Sequence, residues 1–533
     1  MELKDIRSII EQDEYYREAL QSFITKTEKT FTFPALDENN LRADLWKSLY
    51  AIANTTSDEQ IQANCCSALR ILSREKSCLN QFLREIDWLN LLKRFSGLHD
   101  INREFTERSK ILALEAQKCL CNLVFNSNKA AQECIENDIL YNTNERIRLY
   151  SNSSYPEEMR FFDIKLLFII TAVRPEARKI LREQKNAVQN LMAYLEYILM
   201  GHKILKEEPA QMVCEILKAL FNLTVLLQAN GEDKEQYIKL MQMLRNYLLL
   251  PIESKEQSSA LHNHVVHLLT NIPNIFYTEL IPPLSSVQDE TDITHLEFHG
   301  HDVSALAVIL ELLRVKLAVD CPVCQQLEII SPTATVLYKG ACSNRLIRKY
   351  LRFEILPPLK DVYSRPEEGT ALRNCLCRLL TTPVTHLRDI IAEFLFVLCK
   401  KNVKRMVKYT GYGNAAGLLA QRGLLGGRED EEAAEFSSDN EDSETEEYAE
   451  NKHNINPVLG CYEPSHPDAM AGMTDEQKEY EAMKIINLMD ALTREGTIKP
   501  CKIDENGKPV PIEHVLELQD SFKKKERFNK TKE

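Results

Sequence analysis

Five segments of this chain carry the same short pattern about fifty residues apart, and no other feature restricts the fold as strongly. SALRILSR, KCLCNLVF, LLFIITAV, KALFNLTV and HLLTNIPN align on Ser73, Asn122, Thr171, Asn222 and Asn271, at intervals of 49, 49, 51 and 49 residues. The anchor is always small and polar. The residue two before it (Ile71, Leu120, Ile169, Leu220, Leu269) is always apolar. The surrounding windows, among them ILALEAQKCLCNLV, MVCEILKALFNLTVLL and LRDIIAEFLFVLCKK, place apolar residues three and four apart, as an amphipathic helix requires. A helical unit repeated at this period is the mark of an armadillo or HEAT stack, in which each repeat buries its face only against its neighbours. The expected fold is all-α, an armadillo/HEAT-type right-handed superhelix. Glycine agrees: 16 of 533 residues is well below the usual ~7%, too few for a β fold built on tight turns.

In such a stack the last helix of each repeat lines a concave groove, so the anchors predict a polar row along it. Asn122, Asn222 and Asn271 have both donors and an acceptor to offer a bound peptide backbone. Four residues before three of the anchors stand Lys118, Lys218 and His267, on the same helical face. Arg70 and Arg74 add an i,i+4 pair in the first repeat. A groove trimmed this way favours an acidic or carboxylate-ended peptide.

The negative charge lies elsewhere. Residues 429–450 hold twelve Asp and Glu and no Lys or Arg, nearly all of the net charge of −13. That segment has little to bury and is expected to be flexible. The overall acidity argues against a generic nucleic-acid binder. The most apolar run, residues 161–173, is broken by Asp163 and Lys165 and is far shorter than the ~20 residues of a membrane span. Fifteen cysteines scattered through apolar helical stretches read as reduced core residues of a cytoplasmic protein.

Motifs with a catalytic look carry little weight. Cys321-Pro-Val-Cys324 has the spacing of half a zinc site, but no second pair follows at the usual distance. Gly411-Tyr-Gly-Asn-Ala-Ala-Gly417 follows a Lys-rich helical segment rather than a strand, which is the wrong context for a nucleotide loop. There is no GxxxxGK[ST], GxSxG or HExxH. The expectation is a binding scaffold without catalytic side chains, metal or cofactor, and a monomer.

Two basic clusters matter more. Arg345, Arg348, Lys349 and Arg352 lie on one helical stripe, and Lys400, Lys401, Lys404, Arg405 and Lys408 form a second group. Ser438 and Ser443 each have a Glu three residues on, the requirement of an acidophilic kinase of the casein kinase two type. Phosphate on them adds about −1.5 to −2 each, and docking on the Arg345/Arg348/Lys349/Arg352 stripe would order the segment across the stack. Beyond it, Thr474 and Gln477 have capping-box spacing. Ile485, Ile486, Met489 and Leu492 then make an apolar stripe suited to a partner. The predicted layout is a repeat body over 1–426, an acidic flexible segment over 427–471, a tail helix over 472–496, and a basic, disordered end over 497–533.

The stretches ALRILSREKSCL (68–79), KCLCNLVFNS (118–127), SYPEEMRFFDIKLLFIITAVR (154–174), RKYLRFEILPPLKDVYSRPEEG (348–369), TGYGNAAGLLAQRGLLGG (410–427) and GMTDEQKEYEAMKIINLMDALTR (472–494) resemble synembryn, the family named for resistance to inhibitors of cholinesterase. That resemblance implies a cytoplasmic chaperone and receptor-independent guanine nucleotide exchange factor for heterotrimeric G-protein α subunits, recruited to the cell cortex by its partner. It implies that the α subunit's C-terminal helix lies in the groove, against Arg70, Arg74, Asn122 and the Asn222/Asn271 row. It also implies that the tail helix reaches the nucleotide domain's switch region and that the acidic segment carries paired phosphosites. The rival is a passive armadillo adaptor of the import kind. Such grooves use stacked Trp and acidic walls, whereas this chain has two Trp and a cationic trim.

Overall fold

The computed structural model describes residues 3–37, 40–76, 79–151, 155–225, 234–286, 295–425, 445–464, 470, 472–504 and 506–512. They belong to two compact units, 1–280 and 281–533.

The first unit is built on the five anchored helices, α1 (Glu59–Leu72), α2 (Glu107–Asn126), α3 (Glu157–Val173), α4 (Glu207–Thr224) and α5 (Lys255–Asn271). Each packs on the next, giving one continuous layer, and helices Ile139–Arg148, Ala187–Gly201 and Lys234–Leu249 form a row behind it. This is the repeat stack that the fifty-residue period predicts. The apolar position two before each anchor supplies its glue: Ile71, Leu120, Ile169, Leu220 and Leu269 are all buried, each contributing ~1.5–3 kcal/mol. Local chemistry sets the ends. Asp58 caps α1 through the Gln60 amide, Thr106 caps α2 through Ser109, and Pro175 opens the helix after α3.

The second unit centres on α6 (Val323–Ser343), α7 (Arg345–Ile355) and α8 (Thr385–Leu398), followed by α9 (Val403–Thr410) and α10 (Tyr412–Arg422). Phe394 and Phe396 of α8 are fully buried. Asn344 caps α7 and Asn402 caps α9. Among the described residues three antiparallel two-stranded ladders supplement the helices: β1 (Glu297–Phe298) with β2 (His301–Asp302), β3 (Ile455–Asn456) with β4 (Cys461–Tyr462), and β5 (Cys501–Ile503) with β6 (Pro509–Pro511). Among the described residues no helix is long and apolar enough to cross a membrane.

Residues 445–464 depart from the expectation of a uniformly flexible segment over 427–471. They form α11 (Glu446–Asn451) and the β3–β4 ladder, and they are tied to the rest of the second unit. The first backbone N–H groups of α10, at Tyr412 and Gly413, donate to Pro457 O (2.8 Å) and Val458 O (3.0 Å). Tyr462 N donates to Val362 O at 2.6 Å, and the Thr445 hydroxyl donates to Leu359 O. The Lys408 ammonium sits 4.2 Å from the Tyr448 ring centre. The glycines read as a poor nucleotide loop serve this clasp. A Cβ on Gly460 (φ +73) would lie 2.9 Å from Gly411 Cα, and one on Gly411 (φ +75) would lie 3.1 Å from Val458 O and Leu459 O. Charge composition missed the clasp because main-chain groups make it. Within the end read as disordered, 501–503 and 509–511 pair as β5–β6.

Candidate functional site

The anchors of α1–α5 share one face, and the asparagines on it stitch the helices together. Asn122 Nδ2 donates to Arg70 O (2.9 Å) and Ser73 Oγ (2.7 Å). Asn222 Nδ2 donates to Phe168 O (3.3 Å) and Thr171 Oγ1 (3.1 Å). Asn271 Nδ2 donates to Phe221 O (2.9 Å) and Thr224 Oγ1 (3.1 Å). The Arg70 carbonyl lies in the last turn of α1, where carbonyls lack a helical partner, whereas Phe221 O already accepts from Val225 N at 3.2 Å. Each carboxamide therefore commits its N–H groups to the preceding helix, and only its oxygen is left for a ligand. This corrects the expectation that the asparagines donate to a bound peptide backbone.

The cationic trim is present, with partners of its own. Lys118 Nζ is 2.9 Å from Glu115 Oε1, Lys218 Nζ is 2.5 Å from Glu215 Oε1, and Arg70 Nε is 3.5 Å from Glu115 Oε2. Arg74 donates to Glu28 O (2.6 Å) and Thr30 O (3.0 Å) and lies over the Phe31 ring. Burial and the neighbouring Arg70 charge push the Arg74 guanidinium down from its ordinary value, so the pair favours an added anion. Burial alone would raise the Glu115 carboxyl, but hydrogen bonds from Lys118 and Ser67 and the Arg70 charge hold it below the usual range. These acids went unread although their signal is plain: E-x-x-K-x-x-x-N occurs at both 115–122 and 215–222.

Aromatic rings complete the face, and these too were missed. Lys118 lies over Phe162 at 5.7 Å, Lys165 over Phe161 at 5.6 Å, Lys218 over Phe168 at 4.9 Å, and Lys76 over the exposed Phe125 at 5.6 Å. His267 meets Phe221 with ring centres 6.4 Å apart. Beside it, burial, Lys218 and His267 push His264 down to about 4. An unfolded His titrates near ~6.5, so between pH 6.5 and 4 the unfolded chain takes up a proton that the folded chain refuses. Stability is therefore expected to fall as pH falls through that window. Urea midpoints measured at steps from pH 7 to 4 should drop less for His264→Gln than for the parent chain.

In the second unit, Arg345, Arg348, Lys349 and Arg352 share α7 as the spacing predicts. Arg348 Nη1 donates to Ala341 O at 2.8 Å, and Arg352 lies 6.0 Å from the Tyr409 ring centre. Burial together with like charges pushes two guanidiniums down, Arg348 beside Arg345 and Arg405 beside Arg352. Such crowding favours a polyanion. Ser438 and Ser443 lie outside the described residues. The tail helix α12 (Asp475–Arg494) opens on the Thr474/Gln477 capping box. It buries no residue: Ile485 is 58% and Leu488 59% exposed, while Ile486, Met489 and Leu492 are half-buried.

The match to known proteins runs along almost the whole chain. The family described as guanine nucleotide exchange factor synembryn matches residues 65–508. Chaperone Ric-8 of Drosophila melanogaster is 37% identical, covering 96% of this chain and 96% of its own length. Chaperone Ric-8A of Gallus gallus is 37% identical over 97% of each chain. Chaperone Ric-8A of Mus musculus is 36% identical, with 96% of this chain and 94% of its own covered.

Proposed function

The chain belongs to the synembryn family of guanine nucleotide exchange factors, and from that we propose that it is a chaperone and exchange factor for heterotrimeric G-protein α subunits. The C-terminal helix of the α subunit binds the face of α1–α5, and the apolar stripe of α12 engages the nucleotide domain. The observation that carries this reading is the recurrence, at the same place in the second and fourth repeats, of a Glu-paired lysine lying over a ring of the neighbouring helix, Lys118 over Phe162 and Lys218 over Phe168. Exchange needs no catalytic side chain. A partner that binds the nucleotide-free α subunit more tightly than the GDP-bound one weakens GDP by the same factor. The same grip holds a nascent, empty α subunit until GTP completes its core.

The decisive test is GDP release from purified α subunits with and without the full chain. Acceleration is expected, and a passive adaptor would bind without it. Arg70→Ala with Arg74→Ala should weaken α-subunit binding on the order of tenfold, mostly through faster dissociation. Because Arg74 also holds residues 28 and 30, a melting curve must accompany the calorimetry. Unchanged affinity would remove both residues from the site.

The crowded guanidiniums of α7 and Arg405 support a second element of the reading. A casein kinase two type enzyme phosphorylates Ser438 and Ser443, and the phosphates dock on Arg345, Arg348, Lys349 and Arg352. Phosphorylation is then expected to slow limited proteolysis between 428 and 444. Unaltered cleavage would sink this docking.

A further inference from the structure

Glu115 and Glu215 hold the same place in two repeats, seven residues before Asn122 and Asn222. Each accepts from the lysine three residues on, at 2.9 and 2.5 Å. Their second oxygens differ. Glu115 Oε2 accepts from Ser67 of α1 at 2.7 Å and has Arg70 Nε 3.5 Å away. Glu215 is 8% exposed, and its Oε2 is buried without a hydrogen-bond partner. The preceding helix explains the contrast. Ser67 and Arg70 stand six and three residues before their anchor, and at the same positions of α3 stand Lys165 and Phe168. The Lys165 ammonium lies over Phe161 and Phe162, at 5.6 and 5.8 Å, and Phe168 lies under Lys218 at 4.9 Å. The second repeat satisfies its carboxylate internally. The fourth keeps an unpaired acceptor, with the Lys218 ammonium on its other oxygen and Lys165 at the position that Ser67 holds in the first repeat. Folded proteins retain few such oxygens, because an unmade hydrogen bond in a buried site is costly.

We propose that Glu215 is a specificity-determining residue of the partner face, and that it receives a carboxamide, an Asn or Gln side chain of the bound helix. A carboxamide donates N–H to Glu215 Oε2 and offers its oxygen to the Lys165 or Lys218 ammonium. A cationic side chain meets the Lys218 ammonium, an acidic one meets the carboxylate, and an apolar one leaves Oε2 unpaired. The inference rests on the reading of α1–α5 as the face that takes the α subunit's C-terminal helix.

The test uses the full chain and a synthetic peptide of that helix, with copies in which each Asn or Gln is singly replaced by Leu. Binding is read by fluorescence anisotropy. One Leu copy should bind the parent chain on the order of tenfold more weakly than the original peptide. That penalty should vanish against Glu215→Met. It should shrink against Lys165→Ser, which restores at 165 the hydroxyl that Ser67 supplies to Glu115. Melting curves check that both variants fold. If every Leu copy binds as the original does, or if the penalty persists in both variants, the assignment of Glu215 is overturned while the binding face stands. If the original peptide does not bind the parent chain, the face itself is misread and the inference falls with it.

Discussion

Asp163→Asn is expected to destabilise the 1–280 unit by about 3–5 kcal/mol, the usual cost of stranding a buried charge. Arg146 and Asp163 are both fully buried. The guanidinium reaches the carboxylate twice, Nε to Oδ2 at 2.6 Å and Nη2 to Oδ1 at 2.5 Å, and Nη1 donates to Ser96 O at 2.7 Å. The Tyr150 hydroxyl and Gln117 Nε2 also donate to Asp163. Burial alone would lower the guanidinium's proton affinity, yet the Asp163 carboxylate holds it above its ordinary value, so Arg146 stays charged. The substitution removes the carboxylate paired with it and keeps the shape, so the loss is electrostatic rather than a cavity. Denaturant titration of the full chain measures it, read through a probe in the first unit. Asp163→Leu combined with Arg146→Met should lose much less than Asp163→Asn, because no charge is left buried. A loss below ~1 kcal/mol for Asp163→Asn would show that the network adapts around an uncharged partner.

The second large effect belongs to the 411/460 contact. Gly460→Ala should cost about 2–3 kcal/mol locally: a left-handed backbone costs a residue with a side chain ~1–2 kcal/mol, and the new methyl meets Gly411 Cα and Pro366 Cγ at 2.9 and 2.8 Å. The first of those neighbours is main chain and cannot swing away. The expected result is release of residues 445–464 rather than global unfolding, because the clasp holds through a few main-chain bonds at the start of α10. Hydrogen exchange should quicken at the Tyr412, Gly413 and Tyr462 amides while the α8 core keeps its protection. Unchanged exchange at those three amides would mean that the close approach is not needed.

The helical repeat was legible because its signal is local. Burial of Ile71, Leu120, Ile169, Leu220 and Leu269 follows from helical spacing and recurs in every repeat. The candidate face was legible by position only: Lys118 and Lys218 stand four residues before their anchors, and Arg70 and Arg74 flank the first anchor. Their bonding was not. Asn122 has the same three groups whether it meets a ligand or a neighbouring helix, and only the arrival of the Arg70 carbonyl and the Ser73 hydroxyl from α1 decides the matter. The paired acids were visible in E-x-x-K-x-x-x-N, but satisfaction of one and not the other depends on Ser67 and Lys165, residues of different helices.

What the amino-acid order determined alone was therefore the helices, their period, the buried position within each and the set of side chains sharing a face, since all of these depend on residues a few positions apart. What only the tertiary structure decided was which of those polar groups are already spent. It also decided that Gly411 and Gly460, far apart in the chain, exist to let two backbones touch. Hydrogen-bond partners and close approaches are chosen between segments, and no spacing along one segment encodes them.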